Sequence, residues 1–151
     1  MTDCDETRLD IDPGVQPDVV ASMLDMGEIG GFDMVYSSHS LEHVYPHEVP
    51  VALAEMYRVL KPGGVVVAVV PNLDGVKPDD EVLYVSDGGH HVTGRDMFWG
   101  MRSLLMEEPH MAHHTGFVPA TLASALEAVG FQGVHPRALP FWNLLCVGVK
   151  P

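Results

Sequence analysis

Positive charge is scarce in this sequence. Eight Lys and Arg stand against 21 Asp and Glu in 151 residues, for a formal charge of −13. Such a surface repels phosphate backbones, and no local basic patch offsets it, which argues against a nucleic-acid partner. Cysteine is almost missing as well. Cys4 and Cys146 share no CxxC spacing, so no disulfide framework is expected and the thiols read as reduced, a cytoplasmic trait. The longest apolar run, Val65–Val70, falls far below the ~20 residues that span a bilayer. The acidic opening MTDCDETRLD has no apolar leader segment, so neither membrane insertion nor secretion is expected. Internal repeats and low-complexity tracts are lacking too.

What remains is a foldable α/β pattern. An apolar fraction of 46% supports a core, and the length is that of one domain, 1–151. TRLDID alternates apolar and polar residues up to Pro13-Gly14, as a short strand does, and Val19–Met26 reads as a short helix or strand leading to Asp25. FDMVYS, residues 32–37, is a further strand. Leu53, Met56, Tyr57 and Leu60 recur at helical spacing, which predicts a helix over 48–60 with Pro50 tolerated in its first turn. Lys61-Pro62-Gly63-Gly64 should stop that helix, and the β-branched run Val65–Val70 should be a strand buried on both faces in a helix-covered parallel sheet. Thr93-Gly94-Arg95-Asp96 looks like a capping box opening a helix with the stripe Met97, Phe98, Met101, Leu104 and Leu105. Leu122, Ala125, Leu126 and Val129 predict another helix, stopped by Gly130. Two runs, 131–138 and 141–149, close the chain as an antiparallel pair around Pro140.

FDMVYSSHSLEHV, then RVLKPGGVVVAVVPN, then TLASALEAVGF resemble the C-terminal two-thirds of a class I S-adenosylmethionine (SAM)-dependent methyltransferase of the type 11-like group. RLDIDPGVQPDVVASMLDM, SSHSLEH, HEVPVAL and MAHHTGF look like a bacterial subgroup of predicted methyltransferases. The resemblance implies a Rossmann-like sheet with a C-terminal antiparallel hairpin, with SAM as cofactor. It sets Asp10 at the ribose hydroxyls, with Asp12 as competitor, because a carboxylate can accept from two donors at once. It sets Asp25 and the backbone N–H of Met26 at the adenine, and Ser37, Ser38 and His39 beside the sulfonium. An Asn/Asp-Pro-Pro-aromatic run, which methylation of amide and amino-base nitrogens would imply, is replaced here by SSHS, so a small-molecule or glycan acceptor is implied.

Methyl transfer is an in-line displacement that needs alignment, and a base only when the nucleophile must lose a proton. His39 is the first candidate for that base and His114 the second. Glu42 and His43 read better as braces of the strand-to-helix connection. No metal is expected: Pro46 separates His43 from His47, HEVPV lacks the second histidine of HExxH, and the pairs His90-His91 and His113-His114 should diverge. Residues 75–117, rich in Gly, His and Met, form the expected acceptor-side lid, with Tyr84 and Trp99 as stacking candidates and Met97, Phe98 and Met101 more simply core.

One family element has no counterpart. The resemblance calls for a first strand ending in a glycine-rich GxGxG loop, yet only six residues precede Thr7, and reading LDIDPGV as that loop leaves it too close to the 32–37 strand. The implied fold is therefore an N-terminally truncated one, in which two strand edges stand unpaired, open to direct pairing or to a homodimer. The alternative to an enzyme is a non-catalytic, methyltransferase-like interaction module or partner subunit.

Overall fold

The computed structural model describes residues 5–151; Cys4 lies outside them. Chain order gives β1 (Leu9–Asp10), β2 (Val19–Val20), β3 (Phe32–Ser38), α1 (Val49–Val59), β4 (Leu60–Pro71), β5 (Val82–Val85), β6 (His91–Thr93), α2 (Gly94–Trp99), α3 (Pro119–Val129), β7 (Gln132–Leu139) and β8 (Asn143–Val149). The main sheet runs β3-β4-β8-β7. β4 is parallel to β3 and antiparallel to β8, which pairs antiparallel with β7. β1 and β2 form a separate parallel pair, and β5 and β6 a separate hairpin. This is the expected α/β order with its antiparallel end.

The helices form where the apolar spacing demands it. α1 turns Val49, Ala52, Leu53, Met56 and Val59 inward, each large side chain contributing roughly 1.5–3 kcal/mol by leaving water. α3 opens on Pro119, with the Val118 N–H donating to Thr121 Oγ1 at 3.0 Å. It closes at Gly130, whose φ of +116° no side-chain-bearing residue adopts comfortably. α2 has the expected capping box, Thr93 with Asp96. It is shorter than its stripe predicts, because Gly100 at φ +87° turns the chain and leaves Met101, Leu104 and Leu105 beyond the helix.

The Lys-Pro-Gly-Gly segment departs from expectation. α1 passes directly into β4 at Leu60, and residues 61–64 form an irregularity within that strand: Phe32 pairs with Leu60, and Met34 next with Val65. Gly63, at φ +80°, lets its N–H reach the Lys150 carbonyl at 2.8 Å. The cation of Lys150 donates to the Tyr57 and Leu60 carbonyls, both at 2.8 Å, which satisfies acceptors at the end of α1.

β4 is also not buried on both faces. Val66, Ala68 and Val70 are fully buried, whereas Val65 and Val67 are half-buried. α1 and α3 pack together on the first face, sharing one core with Leu144 and Cys146. Among the described residues no helix of comparable length covers the second, where Met34 is 53% and Tyr36 64% exposed.

Among the described residues β3 pairs with β4 alone, and β1 and β2 stand outside the main sheet, so β3 is an edge strand. A groove of about 1100 Å³ runs there, bordered by Arg8 and Leu9 on one side and all of β3 on the other, with Met23, Met26 and Met56 also lining it.

Candidate functional site

The site is built where β3 ends. Ser37 is buried, and the His39 N–H extends the β3–β4 ladder by donating to the Val69 carbonyl at 2.8 Å. His39 itself has φ +50°, a left-handed conformation that is uncommon outside glycine and turns the chain sharply. A single 3-10 turn, Leu41–His43, follows, pinned by Leu41 and Glu42, which are 0% and 1% exposed. The loop before α3 is fastened to that turn. His114 and Thr115 donate their N–H groups to the Glu42 carbonyl at 2.8 and 3.1 Å, and Thr115 Oγ1 donates to the Val44 carbonyl at 2.6 Å.

These contacts close a cavity of about 220 Å³, lined by His39, Glu42, His43 and His113, by Tyr84, and by Met97 and Met101 among its apolar residues. His39 Nδ1 lies 3.2 Å from Glu42 Oε1. That is an ion-pair distance, but neither Glu42 oxygen receives an aligned hydrogen bond. The Glu42 carboxylate beside it raises the His39 pKa, against the opposing pull of burial. Burial lowers that of His113, with the Met97 carbonyl and Glu42 pulling the other way and the imidazoles of His43 and His39 adding to the fall. Burial raises that of Tyr84.

The expected site residues divide between the two spaces. Met26, Ser37 and Ser38 line the groove, and His39 lines the cavity. The two linings thus take consecutive residues of the chain, Ser38 and His39. Asp10 and Asp25 are exposed and outside both linings. Each makes a local turn, Asp10 Oδ1 accepting from the Asp12 N–H at 2.9 Å and Asp25 Oδ1 from the Gly27 N–H at 3.0 Å. Asp12 does the same for the Gly14 N–H at 2.7 Å. The Met26 N–H is donated to Glu55 Oε2 at 2.9 Å. His114 stacks on Tyr45, with ring centroids 4.3 Å apart, and is not part of the cavity wall.

Sequence reasoning passed over Glu42, His43 and His113 as site residues, and set Met97 and Met101 aside as core. The adjacent pair His113-His114 does diverge, one ring entering the cavity and its neighbour stacking outside. Sequence supplies no means of choosing between the two.

Residues 7–68 match the family model described as a methyltransferase domain. No curated protein matches the chain by sequence. Among solved structures, a candidate exported protein of Bordetella parapertussis aligns at TM-score 0.62 and 16% identity, covering 95% of this chain and 52% of that one. The 1,6-didemethyltoxoflavin-N1-methyltransferase of Burkholderia thailandensis, solved with its substrate and S-adenosylhomocysteine, aligns at 0.56 and 17%, covering 94% and 59%. Human N-acetylserotonin methyltransferase, solved with SAM, aligns at 0.55 and 11%, covering 86% and 32%. The chain thus spans about a third to three-fifths of the length of these structures, and it has the class I methyltransferase fold. No described helix is long and apolar enough to cross a membrane.

Proposed function

We propose that this chain binds S-adenosylmethionine at the end of β3 and methylates a small-molecule or glycan acceptor held in the cavity beneath His39. The observation that carries the reading is that consecutive residues at the carboxyl end of the parallel strand β3, Ser38 and His39, line the groove and the cavity respectively, the end of a strand at which such sheets bind ligands. The cofactor, when bound, supplies an electrophilic methyl group on a sulfonium.

The residues fit its nucleoside half. The exposed carboxylates of Asp10 and Asp25 can accept from ribose hydroxyls and an exocyclic amine. Met26 can meet a ring nitrogen only by exchanging its bond to Glu55. Ser37 and Ser38, which line the groove at the end of β3, would lie beside the methyl. For the amino and carboxylate groups the described residues offer no counterpart of the GxGxG loop that the resemblance calls for. His39 takes the proton of an acceptor hydroxyl, its basicity raised by Glu42, and His114 stands behind it at the outer rim. Residues 75–117 serve as the lid, with Tyr84 and the methionines Met97 and Met101 facing the acceptor. A second copy of the chain is the partner that the open edge of β3, with Met34 and Tyr36 exposed, would pair with.

Amide NMR with added S-adenosylhomocysteine tests the reading. Shifts at Asp25, Met26 and Ser37 to His39 support it. Shifts confined elsewhere, or none at millimolar ligand, would sink it and leave the non-catalytic interaction module.

A further inference from the structure

We propose that Glu42, His43 and His113 bind a divalent transition-metal ion, zinc by their chemistry, on the inner wall of the cavity beside His39. Their ligand atoms all lie within 4.8 Å of one another. A tetrahedral ion with bonds of about 2.1 Å would draw such donors to roughly 3.4 Å apart, a movement of the order of an ångström that side-chain rotation supplies.

Three independent features point to an ion. Glu42 is 1% exposed and both its carboxylate oxygens lack a hydrogen-bond partner. An ionised carboxylate left in that state is strongly unfavourable, and buried charges are normally paired or coordinate metals. His39 at 3.2 Å compensates one oxygen at most, since a single imidazole cannot serve both.

Next, each of the two imidazoles is held as a ligand should be. His43 Nδ1 lies 3.1 Å from the Ala112 carbonyl and His113 Nδ1 lies 2.9 Å from the Met97 carbonyl. A carbonyl only accepts, so both Nδ1 atoms carry the proton and both Nε2 atoms keep their lone pairs. A backbone carbonyl on the other ring nitrogen is the usual outer support of a metal-bound histidine. The His43 and His113 rings stand edge to face with centroids 5.1 Å apart.

Finally, the donor set is selective. Two imidazoles and one carboxylate suit zinc and its first-row neighbours and do not suit calcium or magnesium, which take oxygen ligands. Three protein ligands leave a position open. A water can take it, with His39, 46% exposed, beside it. If methyl transfer is the activity, an acceptor hydroxyl entering there would be acidified by the ion; that part alone rests on the methyltransferase reading.

Titration of the chelator-treated 151-residue chain with Co²⁺ decides the matter without any cofactor. One equivalent should bind with the visible d–d bands of a four- or five-coordinate ion, and Zn²⁺ should displace it. His113→Ala and Glu42→Gln should each weaken binding at least tenfold to a hundredfold, while His135→Ala, far from the cluster, should bind as the parent does. Glu42→Gln should also melt no lower than the parent without metal and lose the rise in Tm that Zn²⁺ gives the parent. Absence of the bands, or binding undiminished in His113→Ala, would overturn the site and assign any uptake to surface histidines. Methyl transfer is read separately by S-adenosylhomocysteine binding, so either proposal can fail alone.

Discussion

The two faces of the β3-β4-β8-β7 sheet are made from the same strands and nearly the same residues, yet they end differently. On one face Val66, Ala68, Val70, Leu144 and Cys146 are fully buried beneath α1 and α3. On the other, their immediate neighbours Val65, Val67, Leu145 and Val147 are half-buried, and Met34 and Tyr36 are exposed. Register assigns the residues to faces, since Met34 pairs with Val65 and Val65 with Val149, all on one side of the pleat, where Val69 alone of the β4 valines is buried. A continuous β-branched run therefore reports that a strand can be buried on both sides, and the rest of the chain decides whether it is.

The largest effect expected from this contrast is on stability. Leu144→Ala, on the covered face, should cost about 2–5 kcal/mol because the packed core cannot close the cavity. Val67→Ala, on the bare face, should cost about 1 kcal/mol or less. Urea unfolding of both variants measures the gap, and equal losses would show that the bare face is covered in solution.

A smaller effect concerns the tie between α1 and the loop after β2. Glu55 accepts from Arg58 and from the Met26 N–H, and Arg58 also donates to the Gly27 carbonyl at 2.7 Å. Arg58 and then the Met26 N–H hold the Glu55 carboxyl down at about 2. A depressed carboxyl stabilises the fold above its unfolded value of about 4.5, and that contribution disappears as pH falls from there towards 2. Solvent screening at this surface position limits it to about 1 kcal/mol or less. Glu55→Gln should flatten the acid limb of the stability profile between pH 5 and 2; an unchanged limb would remove Glu55 from the account.

The smallest effect on stability, within about 0.5 kcal/mol, is expected for Tyr36→Lys on the bare face. It should nevertheless shift sedimentation towards the monomer if two copies pair along β3. A parent chain that sediments as a monomer at all concentrations would contradict the pairing.

Much of the fold was legible because local signals agreed. Apolar spacing marked α1 and α3, Gly130 marked a helix end, and Pro140 the closing hairpin, all within a few residues. The errors arose where tertiary contacts ruled. Lys-Pro-Gly-Gly reads as a helix stop, but Gly63 is bonded to Lys150 from the far end of the chain and lies inside β4. The stripe through Leu105 breaks at Gly100 because the turn there packs against the Met111–His113 segment. The site was half legible. His39 follows directly from its place after β3, whereas His113 reaches the cavity from a loop seventy-four residues downstream, and Glu42 gives no sign in sequence that its carboxylate lacks partners.

The central proposal is that the nucleoside half of SAM meets the exposed carboxylates of Asp10 and Asp25, which lie outside the groove lining, and that the amino-acid half has no counterpart among the described residues. Each missing bond to a charged group is worth roughly 1.5–3 kcal/mol, so the loss of two weakens binding by roughly a hundredfold to ten-thousandfold or more. Titration calorimetry of the purified chain with SAM, repeated in the presence of adenosine, measures this directly. The expected result is weak SAM binding against which adenosine competes nearly as well as SAM itself. Micromolar SAM binding with adenosine a poor competitor would contradict it, and would mean that residues along the β1–β3 groove hold the amino-acid end after all.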